Sequence, residues 1–443
     1  MWVRSTVLSL PLILFIAVCL RLGFAWNYQH PRTRQALSTI PFLSEPGNIA
    51  YSLATGRGFS SPFRVETGPT AWMTPVYPLL LAGIFRLFGI YTFSSFIAAV
   101  LLNILFSVLT CVPIFFIGKR IAGLGVAAGA AWLWAVFPNA IILSAETLWD
   151  QSLAALLAAT ILWATLALAE SQRLRDWCGY GFLWGFALMT NTALISLLPF
   201  VLGWIVYRTR RQAGRPLDLA ALALAIAAVC CTPWTVRNYL VFHRFVPFRS
   251  ALGLSLWLGN NIHTEDFPVG RMHPISSSIE RAEYVQVGEF DYMRIKEREA
   301  LQFIRSHPAI DAHFIGNRFI AFWSGGTPAP FKDLLRMRSN WFRFVLLFNL
   351  AAAVSALFGI VTLYRRHSEY TFPLAVFVIV FPCAYYLTLA IPRYRHPIDP
   401  VVLLLAAVAV AALKTTSPLA SSPSRTPHCM RTPHNRRRPD IAA

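Results

Sequence analysis

Residues 94–142 read SSFIAAVLLNILFSVLTCVPIFFIGKRIAGLGVAAGAAWLWAVFPNAII, two long apolar runs separated by the basic pair Lys119-Arg120. A helix of about 20 apolar residues crosses the hydrocarbon core of a bilayer, and each run reaches that length. Basic residues between two such runs are typical of a short cytoplasmic turn. This stretch therefore predicts two membrane-spanning helices.

The whole chain shares this character. Of its 443 residues, 56% are hydrophobic and 13% are charged, which is more apolar surface than a soluble domain can bury. The formal net charge of +19 would suit a nucleic-acid partner. The basic residues, however, lie mainly between apolar runs, where membrane topology and anionic lipids account for them. We therefore expect contact with membrane lipids and no nucleic-acid partner.

Ten apolar runs are candidate membrane spans. They cover residues 6–26, 94–117, 121–142, 149–169, 178–192, 193–207, 217–236, 341–364, 370–391 and 398–414. The pair 178–192 and 193–207 is short, and one long helix over both is the alternative. The sequence predicts an all-α polytopic membrane protein with about ten transmembrane helices.

Basic residues gather at alternate junctions between these spans, which places both termini in the cytoplasm and two hydrophilic stretches outside. The chain has no Asn-x-Ser/Thr glycan acceptor, which favours a bacterial cytoplasmic (inner) membrane. The predicted parts are a transmembrane core at 1–236 with its outer loop at 27–75, an extracytoplasmic helical subdomain at 237–338, C-terminal transmembrane helices at 339–414 and a disordered basic cytoplasmic tail at 415–443.

Three carboxylates stand at the predicted outer edge. FLSEPGNIAYSLATGRGFSSPF, residues 42–63, carries Glu45 just past the first apolar run. SAETLWDQS, residues 144–152, carries Glu146 and Asp150, whose i and i+4 spacing places them on one face of a helix as a second acidic site. Carboxylates at a membrane edge can accept a proton or orient a hydroxyl group. The alternatives are that Glu45 is a solvated loop charge and that the other two cap a helix N-terminus.

Cationic side chains stand at the same edge, against the positive-inside bias. Guanidinium groups bind phosphate bidentately and stabilise developing negative charge. A carboxylate beside such a group suits the displacement of a lipid-linked phosphate from a sugar carbon. The alternative is that the arginines contact lipid headgroups. The candidates for phosphate binding are Arg393, Tyr394, Arg395 and His396 in PRYRHPIDP (392–400), Arg237 in CTPWTVRNY (231–239), and Arg57.

We expect no metal and no other cofactor. His263, Glu265, Asp266 and His273 lie near one another in the second outer stretch, but their spacing fits no ligand motif. The chain also has no Asp-x-Asp sequence. A metal-independent enzyme is therefore expected.

The first outer loop carries a family resemblance. SEPGNIAYSLATGRGFSSPF and TGPTAWMTPVYPLLLAGIFRLFG, within residues 44–89, resemble the first outer loop of GT-C membrane glycosyltransferases. They are most similar to glycosyltransferase family 39, which includes protein O-mannosyltransferases and the lipid A aminoarabinose transferase. TPWTVRNY, LWLGNN (256–261) and PRYRHPIDP also resemble segments of bacterial members, so that the similarity extends over most of residues 1–414.

This resemblance implies a GT-C-type bundle with extracytoplasmic helical loops, a polyprenyl-phosphate sugar donor and inverting transfer on the extracytoplasmic face. It implies that Glu45 is the catalytic carboxylate and that Arg393 and Arg395 meet the donor phosphate. The chain departs from the family in one place, since Ser44-Glu45 stands where an Asp-Glu pair is common.

We therefore expect a glycosyltransferase that moves a hexosyl or pentosyl group to an acceptor lipid, glycan or protein. A transporter or flippase for lipid-linked sugars, and a non-catalytic relative, are the alternatives. Transporters tend to place ionisable groups near the bilayer midplane. Here the candidate polar groups lie at the outer edge, which favours chemistry at the membrane surface.

Overall fold

The computed structural model describes residues 8–29, 36, 39–210, 215–264, 269–326 and 339–416. Within these ranges all regular elements are helices, and β-pairing is limited to one antiparallel bridge between Ser60 and Pro69. The predicted all-α polytopic fold class is confirmed. The predicted tail beyond residue 416 lies outside the described residues.

The α-helices are numbered in chain order. They are α1 (Leu10–Gln29), α2 (Glu45–Ala54), α3 (Val76–Phe88), α4 (Phe93–Leu109), α5 (Cys111–Ala122), α6 (Leu124–Val136), α7 (Pro138–Glu146), α8 (Gln151–Leu168), α9 (Leu174–Leu188), α10 (Leu198–Thr209), α11 (Pro216–Phe242), α12 (Leu252–Gly259), α13 (Val269–Met272), α14 (Ser278–Val287), α15 (Glu289–Ser306), α16 (Pro308–Ser324), α17 (Asn340–Arg365), α18 (Thr371–Ile379), α19 (Cys383–Leu387) and α20 (Asp399–Thr416). Short 3₁₀ segments lie at Ile40–Phe42, Thr192–Ser196 and Pro392–Ile398.

Each of the ten predicted spans falls on one of these helices or on a consecutive pair. In the described part of the chain, six segments are long and apolar enough to cross a membrane: Leu10–Tyr28, Phe93–Ala122, Gln151–Leu168, Pro216–Phe242, Asn340–Arg365 and Pro392–Leu413. The pair α6 and α7, bent by 47°, makes a seventh if it is one span. The protein is therefore a multi-pass membrane protein. The short predicted pair at 178–192 and 193–207 consists of two separate helices, α9 and α10, and not of one long helix.

The bend between α6 and α7 is stabilised by a buried arginine from α1. Pro138 begins α7, and a proline cannot continue the hydrogen bonding of the preceding helix. The carbonyls freed at the end of α6 accept hydrogen bonds from the Arg21 guanidinium, at 3.1 Å for Ala135 and 3.3 Å for Trp134. Arg21 Nε donates to Ser107 Oγ on α4 at 2.9 Å. One cation thereby joins three helices inside the membrane region.

The two outer stretches are fastened together by Glu289, the first residue of α15. Its buried carboxylate accepts hydrogen bonds from Thr70 Oγ1 (2.5 Å) and the Ala71 amide (2.9 Å) of the first outer loop. It also accepts from Ser250 Oγ (2.6 Å) and Tyr284 Oη (2.7 Å) of the second stretch. Four donors satisfy both carboxylate oxygens, so this group holds structure and is not free for chemistry.

Arg237, near the end of α11, forms a second set of hydrogen bonds to the first outer loop. Its guanidinium donates to the carbonyls of Thr70 (2.8 Å) and Phe59 (2.7 Å), which flank the bridged part of the first outer loop. It also donates to Asn238 Oδ1 at 2.9 Å. These bonds fix the first outer loop over the end of α11.

Candidate active site

Glu45 is placed by the local sequence Ser-Glu-Pro-Gly. Ser44 is extended (φ −114°, ψ 166°), and Glu45 and Pro46 open helix α2. Proline suits the first turn, and the helix dipole favours a carboxylate there. Gly47 lets α2 lie against the preceding 3₁₀ turn, because a Cβ at this position would lie 2.0 Å from the Phe42 carbonyl oxygen. The resulting position leaves Glu45 only 7% exposed.

Glu45 meets a histidine from the second outer stretch. His273 Nε2 lies 3.4 Å from Glu45 Oε1. The other ring nitrogen, Nδ1, accepts a hydrogen bond from the Ile275 amide at 3.2 Å, so Nε2 is assigned the proton of the neutral ring. The edges of the Trp72 and Phe63 rings pack near the imidazole, at centroid distances of 5.4 and 6.2 Å. The ring is thus held in one orientation with Nε2–H toward the carboxylate.

Electrostatics favour the neutral form of this histidine. Burial lowers the pKa of His273 below its ordinary value, and the nearby Arg393 charge lowers it further, while Glu45 opposes both. The imidazole is therefore neutral at pH 7.

Asp150 lies in a break between helices. Helix α7 ends at Glu146, and Thr147 is extended (φ −117°, ψ 114°), so Glu146 and Asp150 do not share a helix face and that prediction is wrong. Within the described residues the Asp150 side chain makes no capping hydrogen bond. It accepts instead from Asn191 Nδ2 at 2.9 Å. Glu146 is exposed and accepts from Tyr28 Oη at 2.5 Å.

Asp150 is buried beside two cations. Burial raises its pKa, against the hydrogen bond from Asn191 and the charges of Arg393 and Arg249, which lower it. A carboxyl in this environment can carry a proton at higher pH than an ordinary aspartate, and it can then donate as well as accept hydrogen bonds.

Arg393 lies in the 3₁₀ segment Pro392–Ile398 beside Asp150. Its Cζ lies 4.0 Å from the centre of the Trp149 ring and 5.8 Å from that of Tyr394. Tyr394 in turn stacks on Tyr385 at 4.9 Å. Arg393 Nε is buried without a hydrogen-bond partner in the described part of the chain. This guanidinium is held by an aromatic face and keeps a polar edge available for an anion.

Arg395 and His396 belong to a different environment. Arg395 is 1% exposed and makes three hydrogen bonds of 2.6 Å, to Asp399 Oδ1, the Trp323 carbonyl and Asn349 Oδ1. His396 is buried within the same segment. All three guanidinium nitrogens of Arg395 are used, so the geometry does not support the predicted contact with a donor phosphate.

His396 packs into the bundle interior. Its ring stacks on Trp134 at 5.2 Å, and its Nδ1 lies 3.4 Å from Asp399 Oδ2. This placement fixes the 3₁₀ segment against α6 and separates His396 from an incoming donor. We therefore leave it out of the proposed phosphate site.

Arg57 does not approach Glu45 either. It follows the C-terminus of α2, whose ten residues rise about 15 Å from Glu45. Arg57 is exposed and pairs with Glu66 at 2.5 Å. The site therefore gathers Glu45, Asp150 and Arg393 with Tyr394, and not Glu146, Arg57, Arg237, Arg395 or His396.

Sequence reasoning missed two members of the site. Arg249 is an exposed cation whose charge acts on Asp150, and Asn191 holds the carboxyl of that aspartate. His273 was considered only as a metal ligand. No spacing signal marks any of them, because each meets its partner through long-range packing.

Metal ligands are not grouped in the described part of the chain: no three His, Cys, Asp or Glu side chains stand close enough to hold an ion. Of the four residues near one another in the sequence, Glu265 and Asp266 lie outside the described ranges and His263 is exposed. No step proposed for this site depends on a metal.

The sequence matches one family model, described as dolichyl-phosphate-mannose-protein mannosyltransferase, over residues 72–236. This range contains Asp150 but not Glu45, Arg237 or Arg393. No curated protein matches the chain.

Solved structures add to this match. The archaeal oligosaccharyltransferase AglB from Archaeoglobus fulgidus, in complex with an inhibitory peptide and a dolichol-phosphate, is similar over 94% of this chain and 51% of its own, with 15% identity and a TM-score of 0.57. The same enzyme in complex with Zn and sulfate is similar over 92% of this chain and 49% of its own, with 15% identity and a TM-score of 0.55. ArnT from Cupriavidus metallidurans bound to undecaprenyl phosphate aligns with 90% of this chain and 78% of its own, with 15% identity and a TM-score of only 0.36.

The chain has the fold of the GT-C membrane glycosyltransferases, and the resemblance seen in the sequence is confirmed. It spans about half the length of the oligosaccharyltransferase.

Proposed function

We propose that this protein is a GT-C glycosyltransferase that moves a hexosyl or pentosyl group from a polyprenyl-phosphate donor to an acceptor lipid, glycan or protein. The observation that carries the proposal is the convergence of the Glu45 carboxylate, Asp150 and the Arg393 guanidinium at one edge of this fold. The dolichol-phosphate held by AglB supports a lipid-linked phosphate as the donor class.

The reaction is a single displacement at the anomeric carbon. Glu45 accepts the proton of the acceptor hydroxyl or amine as that atom forms a bond to the sugar. The bond between the sugar and the phosphate oxygen breaks, and polyprenyl phosphate leaves with the electron pair. Arg393, with Arg249 nearby, stabilises the charge that grows on the leaving phosphate. Attack from the side opposite the phosphate inverts the anomeric centre.

Asp150 has a separate part in this scheme. Burial raises the pKa of Asp150, while Asn191 and the charges of Arg393 and Arg249 lower it. Its carboxyl, oriented by Asn191, is suited to bind hydroxyl groups of the transferred sugar.

An apolar groove between α3, α9 and α11 suits the donor's tail. It has a volume of about 450 Å³ and is lined by residues that include Leu79, Phe182, Met189 and Trp234. The end of the groove at Val76 and Met189 lies near the site, since the Val76 amide donates to the Met189 carbonyl at 3.2 Å, two residues before Asn191. An isoprenoid chain in this groove would present its phosphate near Asp150 and Arg393.

The proposed location is the bacterial cytoplasmic membrane, with both termini inside and the site outside. Helix α8 begins next to Asp150 and ends before the basic residues Arg173 and Arg175, and α5 ends with Lys119 and Arg120 in its last turn. Basic residues thus mark the helix ends away from the site, which supports an outward-facing site. The outer loops, fastened through Glu289, would exclude water and so limit hydrolysis of the donor.

The test is turnover of polyprenyl-phosphate sugars by the purified protein. Wild type, Glu45→Gln and Glu146→Gln are incubated with a donor panel and a membrane extract as acceptor, with and without EDTA, and released polyprenyl phosphate is measured by mass spectrometry. We expect Glu45→Gln to slow release by about 10²-fold or more. Glu146 is the exposed carboxylate at the same edge, and Glu146→Gln should release polyprenyl phosphate at the wild-type rate. EDTA should not change the rate of release.

Equal rates for Glu45→Gln and wild type would refute the assignment of Glu45. A wild-type protein that binds donors without releasing polyprenyl phosphate would instead favour the flippase or a non-catalytic relative. Inactivation by EDTA would refute metal independence alone.

A further inference from the structure

His273 has no part in the scheme above, yet it is the side chain that approaches Glu45 within 3.4 Å. The residue before Glu45 offers no such help, because the Ser44 hydroxyl is buried without a hydrogen-bond partner in the described part of the chain. The orientation of the Glu45 carboxylate therefore depends on the second outer stretch.

Resting on the proposed function, we propose that His273 is a positioning residue: its neutral Nε2 faces Glu45 Oε1 at 3.4 Å, and an N–H···O bond that forms across this contact when the acceptor binds aims the carboxylate at the acceptor proton. A neutral donor orients a carboxylate without forming an ion pair with it. A protonated imidazole would form an ion pair with Glu45 and weaken it as a base.

The surroundings of His273 are built for this arrangement. The Ile275 amide occupies Nδ1, which leaves the proton on Nε2. Trp72 and Phe63 pack against the ring. In the described part of the chain, the charged groups that face it are Glu45 from α2 and Arg393 from the 3₁₀ segment. Burial and Arg393 together outweigh Glu45, so the pKa of His273 lies below its ordinary value and the ring stays neutral at neutral pH.

The pairing also links the two outer stretches functionally. Glu45 comes from the first stretch and His273 from the second, and Glu289 joins the same two stretches at Thr70 and Ala71. The carboxylate is therefore aligned only when the second stretch is seated on the first.

Two substitutions separate hydrogen bonding from packing. His273→Phe keeps a ring against Trp72 and Phe63 but removes both nitrogens. His273→Gln keeps an N–H donor that does not titrate. We expect His273→Phe to lower kcat by about 10- to 100-fold with donor KM and Tm near wild type. His273→Gln should recover most of kcat, and its acidic loss of activity should begin at lower pH than in wild type.

A second measurement reads the pairing without turnover. In protein labelled with ¹⁵N-histidine, the resonances lost in His273→Gln identify His273. We expect the neutral Nε2–H form at pH 7.5 and a changed Nε2 shift in Glu45→Gln.

The proposal would be overturned if His273→Phe and wild type had equal kcat, or if the fall in kcat matched a loss of folded protein. It would also be overturned if the His273 ring were charged at pH 7.5. Wild type that releases no polyprenyl phosphate would overturn the proposed function and the positioning role with it. An active wild type with an unaffected His273→Phe would overturn only the role of His273.

Discussion

Arg393 and Arg395 are two residues apart in the sequence, and we expect their replacement to have opposite consequences. Arg395→Gln removes a cation that makes three 2.6 Å hydrogen bonds, and it leaves the buried Asp399 with His396 Nδ1 at 3.4 Å. Breaking a buried pair by removing one partner destabilises by about 3–5 kcal/mol. The expected result is a large fall in Tm with donor affinity unchanged in the protein that remains folded.

Arg393→Gln should instead spare the fold. Its contact with the Trp149 ring contributes about 0.5–1 kcal/mol. Loss of a charge-assisted bond to phosphate costs about 1.5–3 kcal/mol, which corresponds to a Kd for polyprenyl phosphate about 10- to 100-fold weaker. Thermal unfolding followed by tryptophan fluorescence and binding of a labelled polyprenyl phosphate measure the two effects separately.

The assignment of Arg393 to the phosphate and of Arg395 to the fold is refuted if the two variants lose stability equally. It is also refuted if folded Arg395→Gln loses donor affinity while Arg393→Gln keeps it. Arg393→Lys provides a graded control, because lysine keeps the charge but not the planar bidentate edge, and its affinity should fall between those of wild type and Arg393→Gln.

Three further outcomes are expected. Glu289→Gln places an amide against four donors and should destabilise by about 1–3 kcal/mol, seen as a lower Tm and faster proteolysis of the outer loops; unchanged proteolysis would contradict the fastening role. The pKa of His273 is lower in the folded protein than its ordinary value of 6.5, so as pH falls below 6.5 this histidine takes up a proton in the unfolded chain before it does so in the folded protein. The contribution of the neutral, buried His273 to the free energy of unfolding is therefore full above pH 6.5 and is lost as pH falls. Tm should therefore drop more between pH 7.5 and 5.5 in wild type than in His273→Gln, and equal drops would refute this. Leu79→Trp, which narrows the apolar groove, should raise KM for long-chain donors but not for short-chain ones, and an equal effect on both would place the tail elsewhere.

The membrane fold could be predicted because it depends on composition over long windows. Apolar runs separated by basic residues located ten helical segments, with the junction at Lys119-Arg120 close to the end of α5. Helix α3 was not identified as a span. Its 13 residues are about 20 Å long, shorter than the hydrocarbon core, so the length criterion does not select it.

The site could be predicted only in part, because it depends on local geometry and long-range packing. The i,i+4 reasoning for Glu146 and Asp150 assumed a continuous helix, and the break at Thr147 removed that basis. Arg393 and Arg395 look equivalent in sequence. In a 3₁₀ segment each residue turns by about 120°, so positions two apart point in different directions. The meeting of Glu45 with His273 leaves no local pattern to read.

The arginine that joins α1 to the bent pair α6 and α7 has a consequence for biogenesis. Helix α1 is synthesised before α4 and α6, which carry the partners of Arg21. An unpaired arginine near the centre of a lone helix costs about 2.5–3.5 kcal/mol on insertion. The full stabilisation of α1 in the membrane is therefore reached only once α6 has been translated, which couples the insertion of α1 to that of α4 and α6.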